Sequence, residues 1–185
     1  MNNIEKAKER LKNGASLVLY DGKESIDENG KGLSALLKLL SEKDDLSRFC
    51  AADKIIGKAA DMLFALLKIK NVYGEVLSRK AIPILEKYGI KYSFGTVTDS
   101  IKNRYGTGIC PMEQTVEGID DADTALKAIK EKIKTMRMNN MKKLGFGLMR
   151  LPVLDSNDPS KIDIPQAEKM VDKFLERGFT YFDTA

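Results

Sequence analysis

Short apolar runs that read as strands alternate with segments of helical spacing, and this alternation restricts the fold more than any other property of the chain. Residues 16–20, Ser-Leu-Val-Leu-Tyr, form a buried-strand run. Asp21-Gly22 is a hairpin turn, and residues 23–26 return from it before Asn29-Gly30 breaks the pattern. Residues 72–77 and 90–94 read as two further strands. The helical segments are 4–12, closed by Asn13-Gly14; 33–42, with Leu33, Leu36, Leu37 and Leu40 on one face and Asp44-Asp45 at its end; and 81–88, ended by Gly89. Residues 51–68 give the longest helical pattern, in which Ile55, Ile56, Ala59, Met62, Leu63, Leu66 and Leu67 cover a broad apolar arc. Strands joined through helices require a parallel or mixed sheet with helices on its faces. The pattern predicts an α/β fold with residues 51–68 as its central helix.

The chain has 185 residues and is 43% hydrophobic, enough for one well-buried domain and a remainder. Its 31 basic and 27 acidic residues leave a net charge of +4. Lys and Glu are interleaved along the helices, which gives no stripe for a nucleic acid. The first residues, Met1-Asn2-Asn3-Ile4-Glu5-Lys6, lack the apolar core of a signal peptide, and no apolar run approaches membrane-spanning length, so a cytoplasmic protein without membrane contact is expected. Cys50 and Cys110 cannot make a disulfide framework and are expected to remain thiols. The absence of His removes His-based triads and His-ligated metal sites.

Downstream, residues 99–104 read as a short helical turn, and Tyr105 to Glu113 as a loop entering a helix. Residues 119–137 place acids early and lysines late, an order that suits the helix dipole. A polar, methionine-rich junction at 136–143 then divides the chain into a first domain, 1–134, a linker, 135–141, and a second piece, 142–185. That piece runs strand, loop, helix, strand and ends on Thr180-Tyr181-Phe182-Asp183-Thr184-Ala185. Strands of such a crossover unit need neighbours on both edges. The piece is therefore expected to be the beginning of a larger body and to add little to the first domain's stability.

Two groups of residues carry candidate chemistry. Asp53 and Lys54 lie near the start of the expected central helix, with Lys58 one turn below Lys54 on the same face. Two lysines at the positive end of a helix repel each other and the dipole, a cost an anionic ligand would reverse. The alternative is that Asp61 neutralises Lys58 and both lysines are merely solvated. In the second group, Pro111 suits a first helical position, Glu113 can bond back to the cap residue, and Cys110 would sit where the helix dipole lowers a thiol pKa. Gly106 and Gly108 would let the backbone pass close to a ligand, with Asn103 and Arg104 supplying a donor and a fixed cation. The alternative has Cys110 as a small buried residue and the glycines as turn formers. Cys50 is flanked by Phe49 and Ala51 in an apolar setting.

Three segments of the first domain, Ala52-Asp53-Lys54-Ile55-Ile56-Gly57-Lys58-Ala59-Ala60, Val72-Tyr73-Gly74-Glu75-Val76 and Asn103 to Glu113, resemble an uncharacterised family placed in the cytidine-deaminase-like superfamily. The resemblance implies a three-layer fold, a sheet with helices on both faces. Working deaminases carry a His-or-Cys, Ala, Glu signature opening the central helix and a Pro-Cys-x-x-Cys signature opening the next, which together hold zinc. Here the first place reads Cys50-Ala51-Ala52-Asp53 and the second Ser78-Arg79-Lys80-Ala81, so no metal and no other cofactor is expected. Two readings follow. One is a domain binding a nucleotide-like or other anionic small molecule through Lys54, Lys58, Asn103, Arg104, Gly106 and Gly108, with Cys110, Glu113 and Asp53 as catalytic candidates. The other is a non-catalytic interaction or regulatory domain.

The second piece, Lys143-Leu144-Gly145-Phe146-Gly147-Leu148-Met149-Arg150-Leu151-Pro152, then a helix over 163–177 with Asp163 and Gln166 at capping-box spacing, then Gly178 to Ala185, resembles the opening of an aldo-keto reductase. The resemblance implies an incomplete β-α-β piece of a (β/α)8 barrel, with Asp183 as the Asp of that family's catalytic tetrad. The Tyr, Lys and His partners have no counterpart, and NADPH would belong only to a complete reductase. The expected result is an inactive fragment.

Overall fold

The computed structural model describes residues 2–30, 32–42, 45–103, 105–140 and 144–183. In the first part, α1 (Asn3–Lys12) leads into a hairpin of β1 (Leu17–Tyr20) and β2 (Ser25–Glu28), whose turn is held by Asp21 Oδ1 accepting from the Lys23 and Glu24 amides at 2.8 and 2.7 Å. There follow α2 (Ser34–Glu42), β3 (Cys50–Ile56), α3 (Lys58–Leu66), β4 (Asn71–Ser78), α4 (Ile82–Lys87), β5 (Lys91–Thr98), α5 (Pro111–Thr115) and α6 (Ala122–Asn140). The strands form one mixed sheet in the order β2-β1-β3-β4-β5. β1 is antiparallel to β2 and β3, while β3, β4 and β5 are parallel, joined through α3 and α4.

Two cores hold the sheet. The residues Ile4, Ala7 and Leu11, one stripe of α1, pack on Val18, Cys50 and Ala52 with Tyr20 and Tyr73 at the margin. Against α2 and α4 lies α3, whose residues from Lys58 through Phe64 are all buried. A helix buried around its whole circumference is the interior element of its domain. From α6, the i, i+3, i+7 set Ala122, Ala125 and Ile129 is also buried.

The sheet corrects the largest expectation from sequence. Residues 51–68 are not one helix: the first part is β3 and only Lys58–Leu66 is helical. The apolar spacing of Ile55, Ile56 and Ala59 mimics a helical face, but β3 gains ladders on both edges, to β1 and to β4, and tertiary pairing of this kind overrides local pattern. Asp53 and Lys54 are therefore strand residues, and the turn-apart relation of Lys54 to Lys58 does not exist. Residues 99–103 do not form the expected helical turn either. An isolated antiparallel bridge joins Lys102 to Ile109, and Arg104 lies outside the described residues. Asp44, expected to close α2, and Met141, at the linker's end, also lie outside them. The helix expected over 119–137 is α6, which continues through 135–140, the stretch read as linker. No described helix is long and apolar enough to cross a membrane.

The chain divides into two compact units, residues 1–132 and 133–185. In the second, β6 (Gly145–Gly147) pairs in parallel with β7 (Tyr181–Asp183), Phe146 beside Phe182, and α7 (Ile164–Glu176) connects them. The expected cap is present, Asp163 Oδ1 accepting from the Gln166 amide at 3.1 Å. Phe174 anchors the unit, with the rings of Phe146, Phe179 and Phe182 at 5.4, 5.0 and 5.2 Å from its own. Of the expected apolar face, Ala167 and Phe174 are buried, whereas Met170 and Leu175 are 40% and 47% exposed. Truncating Phe174 removes the ring that touches Phe146, Phe179 and Phe182 alike. Phe174→Ala should cost about 3–5 kcal/mol and abolish hydrogen-exchange protection of the α7 amides; undiminished protection there would contradict this packing.

Candidate functional site

The parallel strands β3 and β4 end beside the start of α3, and the residue before that helix, Gly57, has no side chain to cap it. The cap comes from another element. Glu113 of α5 is 3% exposed, and its Oε1 accepts from the Lys58 amide at 2.7 Å. An exposed α5 would let Glu113 turn back on its own helix, as the sequence suggests, but here the carboxylate meets the free amide of α3 instead. The approach is possible only because residue 57 is glycine: a Cβ there would lie 1.8 Å from Glu113 Oε1 and 3.0 Å from Ile101 Cγ1.

Charged groups surround this contact. Lys58 is buried, and its Nζ donates to the Glu117 carbonyl at 2.9 Å and to Asp120 Oδ1 at 2.8 Å. Its ammonium group is thus occupied within the domain, and by Asp120 rather than Asp61. Lys80, from the β4–α4 turn, donates to Glu117 Oε1 at 2.6 Å, which raises the lysine pKa and lowers that of the glutamate. Burial pushes the Glu113 carboxyl above its ordinary value, against the opposing effects of the Lys58 amide and the charges of Lys80 and Lys58. Its Oε2 has no hydrogen-bond partner. Asp61, in the first turn of α3, is fully buried with neither carboxyl oxygen bonded, and desolvation pushes it up to about 8.

The remaining candidates lie elsewhere. Asp53 is half-buried on β3, its Oδ1 accepts from the Ile55 amide at 3.0 Å, and the protein packed around it pushes its carboxyl up to about 7. Lys54 is exposed and lines a cleft of about 630 Å³ with Arg10, Asn13, Gly14, Ser16, Asp27 and others. Within it Arg10 is tied to Asp27 by Nε and Nη2 contacts of 3.0 and 2.6 Å, whereas Lys54 makes no ion pair among the described residues. Asn103 is turned inward on its own loop: Oδ1 accepts from the Tyr105 and Thr107 amides, both at 3.1 Å, and Nδ2 donates to Thr107 Oγ1. Gly106, at φ +69°, supplies the left-handed residue of that turn, and Gly108 closes it by accepting from the Asn103 amide at 2.8 Å. Cys110 is the half-buried N-cap of a five-residue helix, and its side chain makes no capping bond. Asp183 ends β7 in the second unit.

The structure thus gathers Lys58, Glu113 and the stem of the 101–110 loop around Gly57, and places Lys54 and Asp53 on β3 away from that contact, while Asp183 belongs to the second unit. Sequence reasoning missed Gly57, Lys80, Glu117, Asp120 and Arg10. The available signal was Gly57 itself, a strand-breaking residue placed directly before an Ala-rich helix. With α3 beginning at Lys58, the place of the first deaminase signature moves from Cys50-Ala51-Ala52-Asp53 to Gly57-Lys58-Ala59-Ala60, and these residues do not fit a zinc ion. Among the described residues no group of three or more Asp, Glu or Cys side chains is placed to hold a metal.

Two outcomes follow from this geometry. Gly57→Ala should destabilise the domain by about 2 kcal/mol or more through overpacking, and most of that cost should vanish when the same change is made on a Glu113→Ala background. Equal costs in the two backgrounds, read by urea denaturation, would remove Glu113 from above Gly57. For Asp61, an acid whose folded pKa is raised binds its proton more tightly folded than unfolded. Below pH about 4, where the unfolded carboxyl is protonated too, it costs nothing, and stability is lost as pH rises from there through about 8. Asp61→Asn should remove that loss, gaining on the order of 3–5 kcal/mol over wild type at pH 8.5 and little at pH 4. A difference that stays constant with pH would contradict a buried, unbonded carboxyl.

Comparison with known proteins places the first unit in a family. A family model described as TM1506, domain of unknown function (DUF1893), matches residues 6–133. The crystal structure of a DUF1893 family protein (TM1506) from Thermotoga maritima is 25% identical, covers 71% of this chain and 91% of its own, and aligns with a TM-score of 0.66. No curated protein matches. With its mixed five-stranded sheet and a family match that spans α1 to α6, the chain belongs to the DUF1893 (TM1506) family of domains of unknown function.

Proposed function

We propose that residues 6–133 form a deaminase-like domain that binds an anionic small molecule of nucleotide-like size without hydrolysing it, in the cleft lined by Lys54. The observation that carries this reading is the position of the cleft. β1 is antiparallel to both β2 and β3, so the start of β1 and the end of β2 lie toward the carboxyl end of the parallel strand β3. Ligands of open α/β sheets bind beyond the carboxyl ends of the parallel strands. Ser16, just before β1, accepts from the Lys54 amide at 3.1 Å, which puts the start of β1 beside the carboxyl-terminal half of β3. Among the described residues that line the cleft, Lys54 is the cation without an ion pair, and Asn13 and Asn29 add polar groups.

The Glu113 contact supports binding without turnover. The helix N-terminus that would serve an anion or a metal-bound water is filled by the chain's own carboxylate, and Lys58 is held by Asp120. A regulatory or interaction role is the second reading, favoured by the same contact. Cys110 and Asn103 have no part in either.

The second unit is read as the opening strand, helix and strand of an aldo-keto reductase. Support comes from the parallel β6–β7 pair connected through α7, with Asp183 at the carboxyl end of β7 where the resemblance places the tetrad Asp. In this reading NADPH would belong to a complete reductase and enters no step proposed for the first unit.

Thermal unfolding with AMP, ADP and inorganic pyrophosphate tests the binding site. A saturable rise in Tm is expected with at least one of these probes, lost in Lys54→Glu and kept in Asn103→Ala. A rise that survives Lys54→Glu, or no rise with any of the three, would contradict the reading.

A further inference from the structure

We propose that β5 is the seam of a homodimer, in which two copies of the chain pair edge to edge, antiparallel, about a two-fold axis at Gly95 and join their sheets into one. The inference is independent of the ligand reading. The sheet has two edges of opposite character. The β2 edge has four residues, two of them the acids Asp27 and Glu28, with Asp27 tied down by Arg10. Short, charged edges of this kind resist pairing. The β5 edge has eight residues, Lys-Tyr-Ser-Phe-Gly-Thr-Val-Thr, with one charge and no proline. It has no strand neighbour on its outer side among the described residues, and Lys91, Ser93, Phe94, Gly95 and Thr96 are exposed, Phe94 by 45%. A long edge with a single charge and a row of unpaired backbone groups is a template for another strand.

The sequence of that edge selects a second copy as the strand. Antiparallel pairing with Gly95 opposite Gly95 sets Lys91 against the partner's Asp99, Tyr92 against the partner's Thr98, Ser93 against the partner's Val97 and Phe94 against the partner's Thr96. Symmetry repeats every pair, as an isologous interface requires. Lys91 makes no ion pair among the described residues. The Asp99 side chain is 91% exposed, and its bond to Arg79 at 3.1 Å lies in solvent. Opposite charges thus close both ends of the seam, aromatic and β-branched pairs fill its middle, and glycine at the axis leaves no side chains to collide. A peptide of unrelated sequence would meet the backbone but not both charges.

Sedimentation equilibrium of the full chain at low ionic strength tests this. A concentration-dependent monomer–dimer equilibrium is expected. Lys91→Glu and Asp99→Lys should each weaken it about tenfold, equivalent to about 1.4 kcal/mol, and the Lys91→Glu/Asp99→Lys double swap should restore it to within about threefold, a rescue that impaired folding could not produce. Ser93→Cys/Val97→Cys should give a reducible covalent dimer. A monomer at all concentrations, or a dimer indifferent to both single reversals, would overturn the proposal.

Discussion

The bond from the Lys58 amide to Glu113 is the contact on which the arrangement of this domain depends. α3 is its interior helix, and the first amides of any helix lack intrahelical partners. Most helices meet that need with a side chain at the N-cap, but Gly57 has none. Glu113 supplies it from α5, 55 residues further along the chain. The dependence runs both ways. A five-residue helix does not persist alone, and α5 is fixed by Glu113 on one side and by Lys58 reaching the Glu117 carbonyl and Asp120 on the other. The carboxyl end of the sheet, the start of α3 and the segment that leads into α6 are held by one group of residues.

This contact also decides what chemistry the site can support. Backbone amides at the start of a helix attract anions, and here the anion is part of the chain. Glu113 is desolvated enough for its pKa to rise, which is the electrostatic cost of the bond, and its second oxygen remains without a partner. A ligand at this point would have to displace a buried carboxylate held by a charge-assisted bond. The open cleft at Lys54 imposes no such exchange. Asp61 stands apart: a fully buried acid with no bonded oxygen among the described residues lowers stability at neutral pH.

How much of this was legible in the sequence depended on whether the signal was local. The hairpin is readable from Asp21-Gly22 after the run at 16–20, the end of α1 from Asn13-Gly14, and the α7 cap from Asp163 and Gln166, because turn and cap chemistry act within a few residues. β3 is not. Its seven residues are identified by ladders to β1 and β4, and those pairings are invisible to a pattern in which Ile55 and Ile56 continue the spacing of Ala59 and Met62. The same error moved Asp53 and Lys54 to a helix end. Glu113 was singled out as a capping residue, and it is one, but for a helix brought to it only by the fold. Asn103, Gly106 and Gly108 read as ligand contacts in sequence, with the two glycines alternatively as turn formers, and the hydrogen bonds of the loop turn Asn103 inward on the same turn.

The most direct measurement of the central contact is the pH titration of the Lys58 amide by heteronuclear NMR. A proton held by a buried carboxylate should resonate well downfield and exchange slowly with solvent. It should shift in a single step whose midpoint lies above the ordinary glutamate value of 4.5, and the step should be absent in Glu113→Ala. A Lys58 amide that exchanges as fast as an uncapped first-turn amide, or whose shift is unchanged by removing Glu113, would contradict the account.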